Sequence, residues 1–500
     1  MAQEAVVVQS WVPFWAAVIP LVASIGVYAL SSRFPTLGKV VSFLVALLSL
    51  GAVATMYPLV KSGCIIEAGF PNLLPPLGMT FRVDSLGYLY ASVIAGVWSL
   101  VVLYSTVYMK HSEHQPRFFA VLILNLGGCL GVALAGDWFT LFLFFEMISL
   151  AAYVLIIHEQ TPEAMKAGFK YLVMSLSGSL MLFFAIIATY DLSGTLSLAH
   201  FGIMPEKTLL SFAIFVAFMI GFGIKAGMFP LHVWLPDAHP VAPSPASALL
   251  SGLMIKSGAY GIIRVFYNVY GAHFLQAGNW PLILTVLAVI TMLLGSAVAI
   301  LQDDLKRRLA YSSIGQIGYV LMGVSLLTRD GLEGSMFHIF GHALAKACLF
   351  LCVGIMTHTT GQKTLSGIRG IGRRLPITMG AFTMAALSMI GIPPFNGFVS
   401  KWMLSKGALE SGQPLLVGVL MLCSMMACVY SLPIVITAFF AEPNDNDVHN
   451  SSDRKRGLEA PAAMLVPVVL LAAGSLVFSM VPSSLPFTLC DIWVKYLPVP

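Results

Sequence analysis

The chain has 500 residues, of which 58% are hydrophobic and only 10% charged, with a mean hydropathy of +0.88. Soluble domains carry about 25% charged residues, so the composition excludes one and indicates a polytopic membrane protein. The net charge of +5 is explained by basic loops between the apolar runs and gives no ground for nucleic-acid binding.

Runs near the roughly 20 apolar residues that cross a bilayer lie at 11–31, 37–60, 83–109, 118–135, 137–157, 166–190, 208–232, 243–269, 280–301, 307–327, 333–357, 376–404, 413–441 and 461–481. They are continuously apolar, whereas barrel strands alternate over about ten residues. The predicted fold is therefore an all-α bundle of about fourteen transmembrane helices. The first run lacks a basic n-region and an A-x-A-like cleavage site, so it reads as a retained helix and not a removed signal peptide. Pro71, Pro75 and Pro76 predict an irregular connection before the third span. The polar, mixed-charge segment 442–460 predicts a surface loop, and the tail after Pro482 is short.

Basic residues fall mainly in the odd-numbered connections: Arg33 and Lys39, Lys110 and Arg117, Lys166 and Lys170, Lys306 to Arg308, Lys363 with Arg369, Arg373 and Arg374, and Arg454 to Arg456. The even connections hold chiefly Lys61, Arg82, Lys207 and Arg329. By the positive-inside rule the odd loops are cytoplasmic and both termini face outward.

The seven cysteines form no CxxC. Cys348, Cys352, Cys423 and Cys428 lie within spans, where a thiol acts as a small hydrophobe. There is no HExxH, no closely spaced Cys/His set, no phosphate loop and no dinucleotide fingerprint. No metal, cofactor or catalytic redox centre is expected in this chain.

What stands out is charge at membrane depth. Lys225 follows a dozen apolar or small residues in FVAFMIGFGIKAGMFPLHVWLPDAH, and Glu146, Lys256, His338, His342, Lys346 and Lys401 have similarly apolar surroundings. An ion there costs a few kcal/mol even on lenient insertion scales, so each is a candidate functional group. Two spans are interrupted: Pro230 follows Lys225 in the seventh, and Gly391, Pro393, Pro394 and Gly397 precede Lys401 in the twelfth. Broken helices paired with buried ions in two halves of a chain point to a transporter site.

The stretches FLFFEMISLAAYVLI around Glu146, GFGIKAGMFPLHVWLPDAHPVAPSPASALLSGLMIKSGAYGIIR from 221, LKRRLAYSSIGQIGYVLMG from 305, FHIFGHALAKACLFLCVG from 337 and GIPPFNGFVSKW from 391 closely resemble the antiporter-like subunits of respiratory complex I. The same family includes subunits of multisubunit cation/proton antiporters and of energy-converting membrane [NiFe] hydrogenases and formate hydrogenlyases. The resemblance covers roughly residues 80–440. It implies a fourteen-helix core with two inverted five-helix repeats, divided as a three-helix segment 1–117, a first repeat 118–269, a second repeat 280–441, and a loop, last helix and tail at 442–500.

By motif position Glu146 matches the family's fifth-helix glutamate, and Lys225 the seventh-helix lysine that pairs with it. Lys256 matches a connecting lysine, His338, His342 and Lys346 an eleventh-helix relay, and Lys401 the terminal residue. The implied function is translocation of protons, or Na+/H+ exchange, with other membrane subunits of a complex as partners, related antiporter-like subunits among them. The implied place is a prokaryotic cytoplasmic (inner) membrane. Two alternatives stand beside it, a non-conducting structural subunit and a self-sufficient secondary antiporter. DAHPVAPSPASALLSGLMIKSGAYGIIRV looks most like hydrogenase and formate-hydrogenlyase subunits, whereas AYSSIGQIGYVLMG looks like complex I and antiporter subunits. The chain ends soon after the last span, which sets it apart from the largest complex I member with its lateral helix.

The relay also has a logic of its own. A nearby carboxylate favours a charged lysine while desolvation disfavours it, so neutralising Glu146 would lower the affinity of Lys225 for its proton. His338, His342 and Lys346 recur at i, i+4 and i+8, on one helix face at about 6 Å per step. His232 reads as a gate or as a donor to carbonyls freed by the break, with Pro230, Pro393 and Asp84 as accessory positions. Asp84, Asp137, Asp303 and Asp304 read as interfacial, Lys306, Arg307 and Arg308 as anchors of the cytoplasmic end, and Trp11, Trp138 and Trp402 as members of the interfacial belt.

Overall fold

The computed structural model describes residues 6–74, 77–442, 459–481 and 485–495. Helices α1 (Val12–Arg33), α2 (Pro35–Lys61), α3 (Ser85–Tyr108), α4 (Gln115–Leu134), α5 (Trp138–Ile156), α6 (Pro162–Ser193) and α7 (Leu209–Ala226) take the first seven apolar runs in order. The chain continues through α8 (Leu235–Val241), α9 (Ser244–Tyr270), a short α10 (Ala272–Gln276), α11 (Trp280–Ile300), α12 (Leu305–Ser325) and α13 (Arg329–Thr360). It closes with α14 (Pro376–Ile390), α15 (Asn396–Glu410), α16 (Leu415–Phe440), α17 (Ala462–Met480) and α18 (Leu485–Lys495). Twelve of these helices are long and apolar enough to cross a membrane. The two remaining runs are α12, whose polar side chains lower its hydropathy, and the pair α14 and α15, which divides the twelfth run in two.

The seventh run is divided as well. It does not continue to 232 as drawn from the sequence: α7 stops at Ala226, one residue after Lys225, because Gly227 turns left-handed at φ +74°. In the same way α14 ends on Gly391 at φ +91°. An L side chain is disfavoured in that region, so glycine marks both stops. Each is followed three residues on by a cis proline, Pro230 and Pro394.

Helices α9 and α13 are the centre of the bundle, with every residue of their most apolar windows enclosed by neighbours, whereas only a third of α1 and α2 is covered. In lipid the apolar effect does not bring helices together, so close backbone approach and polar contacts do. Between α11 and α12 a Cβ on Gly295 would lie 2.4 Å from the Gly315 nitrogen, an approach open only to glycine. Helix α9 carries π turns at Leu250–Met254 and Val265–Tyr270, which its apolar sequence does not announce.

One end of the bundle bears a three-stranded sheet in the order β1 (Val7–Gln9), β2 (Ile65–Leu74) and β3 (Leu77–Val83), parallel between the first two and antiparallel between the last two. The connection expected to be irregular is thus mostly paired, Val7 facing Ile65 and Ile66 facing Val83, with the register broken between Phe70 and Leu74 around Pro71. Pro75 and Pro76 lie outside the described residues, as do Pro482 and all of the 442–460 loop except its ends. The short tail contains α18, which packs on α3 and α13.

Backbone features recur 167 positions apart. Asp137 and Asp304 cap α5 and α12, Thr161 and Thr328 cap α6 and α13, and Gly194 and Gly361 end those helices left-handed. Isolated bridges join Asp137 to Ser197 and Asp304 to Thr364. The two sets of recurrences begin five apolar runs apart, at α5 and at α12.

At the opposite end from the sheet, His158 closes the turn after α5. Its Nε2 lies 3.0 Å from the Ser112 hydroxyl, and Arg117 donates to its carbonyl at 2.7 Å. Burial, then the charges of Arg117 and His114, push its pKa down to about 4. The folded turn therefore holds His158 neutral, while an opened turn takes a proton near pH 6.5. The stability present above pH 6.5 is lost as pH falls toward 4. Amide protection of residues 109–114, corrected for intrinsic exchange, should drop over that window in the native protein and stay level in His158→Gln.

Candidate functional site

The seven titratable side chains singled out by the sequence lie on α5, α7, α9, α13 and α15. Glu146, half-buried on α5, accepts a hydrogen bond from the Ser179 hydroxyl of α6 at 2.5 Å. Lys225, on the last turn of α7, donates to Ser149 Oγ of α5 at 3.1 Å and Tyr171 Oη of α6 at 2.8 Å. Its ammonium also lies over the rings of Phe145 and Tyr171, at 5.5 and 5.4 Å. Contacts of that kind offset part of the cost of burying a cation. Lys225 and Glu146 are close enough to feel each other's charge, but they make no direct ion pair. The contact implied by the resemblance is replaced here by hydroxyl partners on each residue.

Lys256 on α9 donates back to the Ser251 carbonyl within the first π turn, and the Ser251 hydroxyl meets that of Ser313 on α12 at 2.6 Å. The neighbouring Ser312 points to another helix, where Lys346 of α13 donates to its hydroxyl and to the Leu309 carbonyl. Adjacent helical residues diverge by about 100°, so one dipeptide of α12 meets Lys346 through Ser312 and the Ser251 hydroxyl of α9 through Ser313. Lys256 and Lys346 lie within electrostatic reach of each other. One and two turns before Lys346, the rings of His342 and His338 stack with centroids 5.6 Å apart. His338 Nδ1 is 2.9 Å from Ser400 Oγ of α15, and its ring stacks on Tyr319 at 5.5 Å.

Lys401 is the last of the seven in the chain. Its Nζ lies 4.8 Å from the centre of the Tyr319 ring and donates to the carbonyls of Met389 and Ile390 at 3.0 and 2.8 Å and to Ser424 Oγ at 3.0 Å. Those carbonyls are the C-terminal end of α14, left unpaired by the break and negative by the helix dipole, which suits a cation. The two breaks thus present their lysines differently, Lys225 just before its stop and Lys401 after it.

Exposure of the four lysines runs from 0% at Lys256 and Lys346 to 2% at Lys225 and 8% at Lys401. Among the described residues, none of the ion pairs includes any of them. Every polar partner they have is a neutral hydroxyl or carbonyl, so a lysine can give up its proton without stranding a buried carboxylate.

Several sequence readings change. His232 is nearly buried and stacks on Phe229 at 5.9 Å, but its Nδ1 has no partner among the described residues and its side chain bonds none of the freed carbonyls. The break is closed instead by Trp234, which donates to the Ile224 carbonyl at 2.8 Å, and by Thr291, which accepts from the Phe229 amide at 3.0 Å. Asp84 caps α3 through Gly87 and takes a bidentate pair from the buried Arg264 at 2.6 and 2.7 Å. Asp137 is also buried, bound to Thr80 and Thr140. Of the anchoring trio, Arg308 is buried and donates to the carbonyls of Gln302 and Tyr430, while Lys306 holds the Ala242 carbonyl. Trp138 is fully enclosed against Phe218 and Phe222, whereas Trp11 and Trp402 are exposed as expected. No cluster of His, Cys, Asp or Glu among the described residues could hold a metal ion.

The residues missed by sequence are the hydroxyls, Ser149, Tyr171, Ser179, Ser312, Ser313 and Ser400, together with Arg264. A weak signal existed: serines in otherwise apolar spans, as in YLVMSLSGSL and LAYSSIG.

Residues 135–427 match the family described as "NADH:quinone oxidoreductase/Mrp antiporter, TM", and residues 76–119 match "NADH-Ubiquinone oxidoreductase (complex I), chain 5 N-terminus". The chain is 34% identical to NADH-quinone oxidoreductase subunit N of Desulforudis audaxviator, over 94% of its own length and 95% of the relative's. It is 30% identical to a Na(+)/H(+) antiporter subunit of Alkalihalophilus pseudofirmus, over 82% of this chain and 81% of that one. Identity to hydrogenase-4 component B of Escherichia coli is 30%, over 82% of this chain and 64% of that one. Among solved structures, a chain of the Mrp complex from Dietzia sp. superposes with a TM-score of 0.86 at 25% identity, covering 97% of each chain. A chain of an archaeal membrane-bound sulfane sulfur reductase superposes at 0.84 with 27% identity, covering 97% of this chain and 98% of that one.

Proposed function

The chain belongs to the NADH:quinone oxidoreductase/Mrp antiporter family, and from that premise we propose that it carries protons across a membrane as the antiporter-like subunit of a multisubunit complex. The path runs from Glu146 through Lys225, Lys256, Lys346, His342 and His338 to Lys401. The observation that carries this reading is the set of four buried lysines held only by neutral groups. A structural role would call for ion pairs, since an unpaired buried charge is a net cost.

The proton is favoured over sodium as the ion moved. Carbonyls at a broken helix are the natural sodium ligands, but those of Met389 and Ile390 are taken by Lys401. The recurrences 167 positions apart support two inverted five-helix repeats at 118–269 and 280–441. The basic odd-numbered loops support a prokaryotic cytoplasmic membrane with both termini outside, and the relatives named above support other membrane subunits as partners.

Purified complex carrying Lys225→Ala, reconstituted into vesicles, should assemble yet lose proton translocation or cation/proton exchange. Undiminished transport by that variant would instead make the chain a structural subunit. Exchange by the chain expressed without partners would make it a self-sufficient antiporter.

A further inference from the structure

We propose that His342 and Asn396 bound a built water site, and that Asn396 is a positioning residue that orients the water joining Lys346 to His338 and Lys401. This rests on the relay reading above and adds to it a residue that lies just after the break between α14 and α15, outside the titratable series.

The argument starts from the register of two facing helices. Ser400 on α15 meets His338 on α13 at 2.9 Å. One turn back along α15 is Asn396, and one turn forward along α13 is His342, with Gly341 beside it. Asn396 does face that level: a Cβ built on Gly341 would lie 2.8 Å from Asn396 Cβ and 3.6 Å from its Nδ2. The histidine pair on α13 therefore has a matching polar pair on α15, bonded directly at one level and not at the next.

Here several buried polar atoms find no partner among the described residues. Both ring nitrogens of His342, both amide atoms of Asn396 and Nε2 of His338 are in that position. Asn396 is 0% exposed and His342 3%. Buried groups of this kind are costly to leave unsatisfied, and protein interiors meet the need with ordered water bonded to two to four polar groups. Five such atoms on facing turns make a site of the right chemistry for it.

Why asparagine suits the place follows from its atoms. It offers two N–H donors and a carbonyl acceptor on one planar group, so it can hold a water whichever way that water's own hydrogens point. No group at Asn396 needs to titrate. Gly341 is the complementary requirement, since any side chain there would crowd Asn396, whose Cβ would lie 2.8 Å from the added atom.

The test uses the assembled complex, as wild type, Asn396→Leu and Asn396→Ser, imaged at a resolution that shows waters elsewhere in the bundle and assayed for transport in vesicles. Ordered density within hydrogen-bonding distance of both His342 and residue 396 is expected in wild type and in Asn396→Ser, and not in Asn396→Leu. Transport should fall about tenfold in Asn396→Leu, the scale of one lost water-mediated contact, and recover in Asn396→Ser. Absence of density between His342 and Asn396 in wild type overturns the proposal, and so does full transport by assembled Asn396→Leu. The wild-type density reads the water site directly, whereas Lys225→Ala reads the relay, so failure of one is distinguishable from failure of the other.

Discussion

Lys256→Met should abolish transport while leaving the complex assembled and no less stable. The lysine is wholly enclosed, and its one polar contact is the Ser251 carbonyl inside a π turn of its own helix. Removing that ammonium removes a desolvation cost of several kcal/mol, and methionine keeps the length and fills the space with an apolar, adaptable chain. The proposed step from Lys225 to Lys346 would then lack the lysine assigned to it. A lost proton-transfer group is felt at about 100-fold or more. The paired measurement is thermal unfolding of the purified complex beside proton uptake by vesicles. Unfolding at lower temperature would assign Lys256 a structural role, and unchanged uptake would remove it from the path.

The second large effect is on stability, and it comes from outside the relay. Arg264→Ala should destabilise the folded chain by about 3–5 kcal/mol, the usual outcome when one member of a buried pair is removed and the other is stranded. Asp84 would be left with the amide of Gly87 and the indole of Trp493 as donors, having lost both guanidinium bonds. The pair ties α3 to α9, and Trp493 adds α18 to the same carboxylate. Asp84→Asn combined with Arg264→Met should recover most of the loss, because it leaves no uncompensated charge. Thermal unfolding of the two variants checks this, and equal instability of single and double variants would show that packing and not charge holds the joint.

The span count and the titratable residues were legible because both are written in single residues: a lysine in an apolar run is visible without knowing its neighbours. The break after Lys225 was legible only in part. Pro230 signalled it, but the stop lies at Gly227, where the turn is made by a left-handed backbone angle that no composition reports. The sheet escaped because β1 pairs with a strand more than fifty residues away, a contact without local pattern. In the sequence Arg264 is only the end of a motif and Asp84 an interfacial acid at an accessory position, since nothing there says that residues 180 positions apart share two hydrogen bonds. Serines are the least legible of all. They are common in membrane helices, and only the packing tells Ser179, bound to Glu146, from Ser177, which is exposed and bonds its own helix.

The spacing of 167 residues sets those side chains in a further relation. It carries Glu146 onto Ser313, Tyr171 onto His338, Ser175 onto His342 and Ser179 onto Lys346. Positions matched by that spacing thus hold unlike groups, an acid and three hydroxyls in the first set, a hydroxyl and three bases in the second. On the proposed inverted repeats the scaffold reads alike from either side of the membrane, and a preference for one direction of travel resides in the side chains. Exchanging matched residues between the halves is then a way to reverse a polarity without rebuilding a fold.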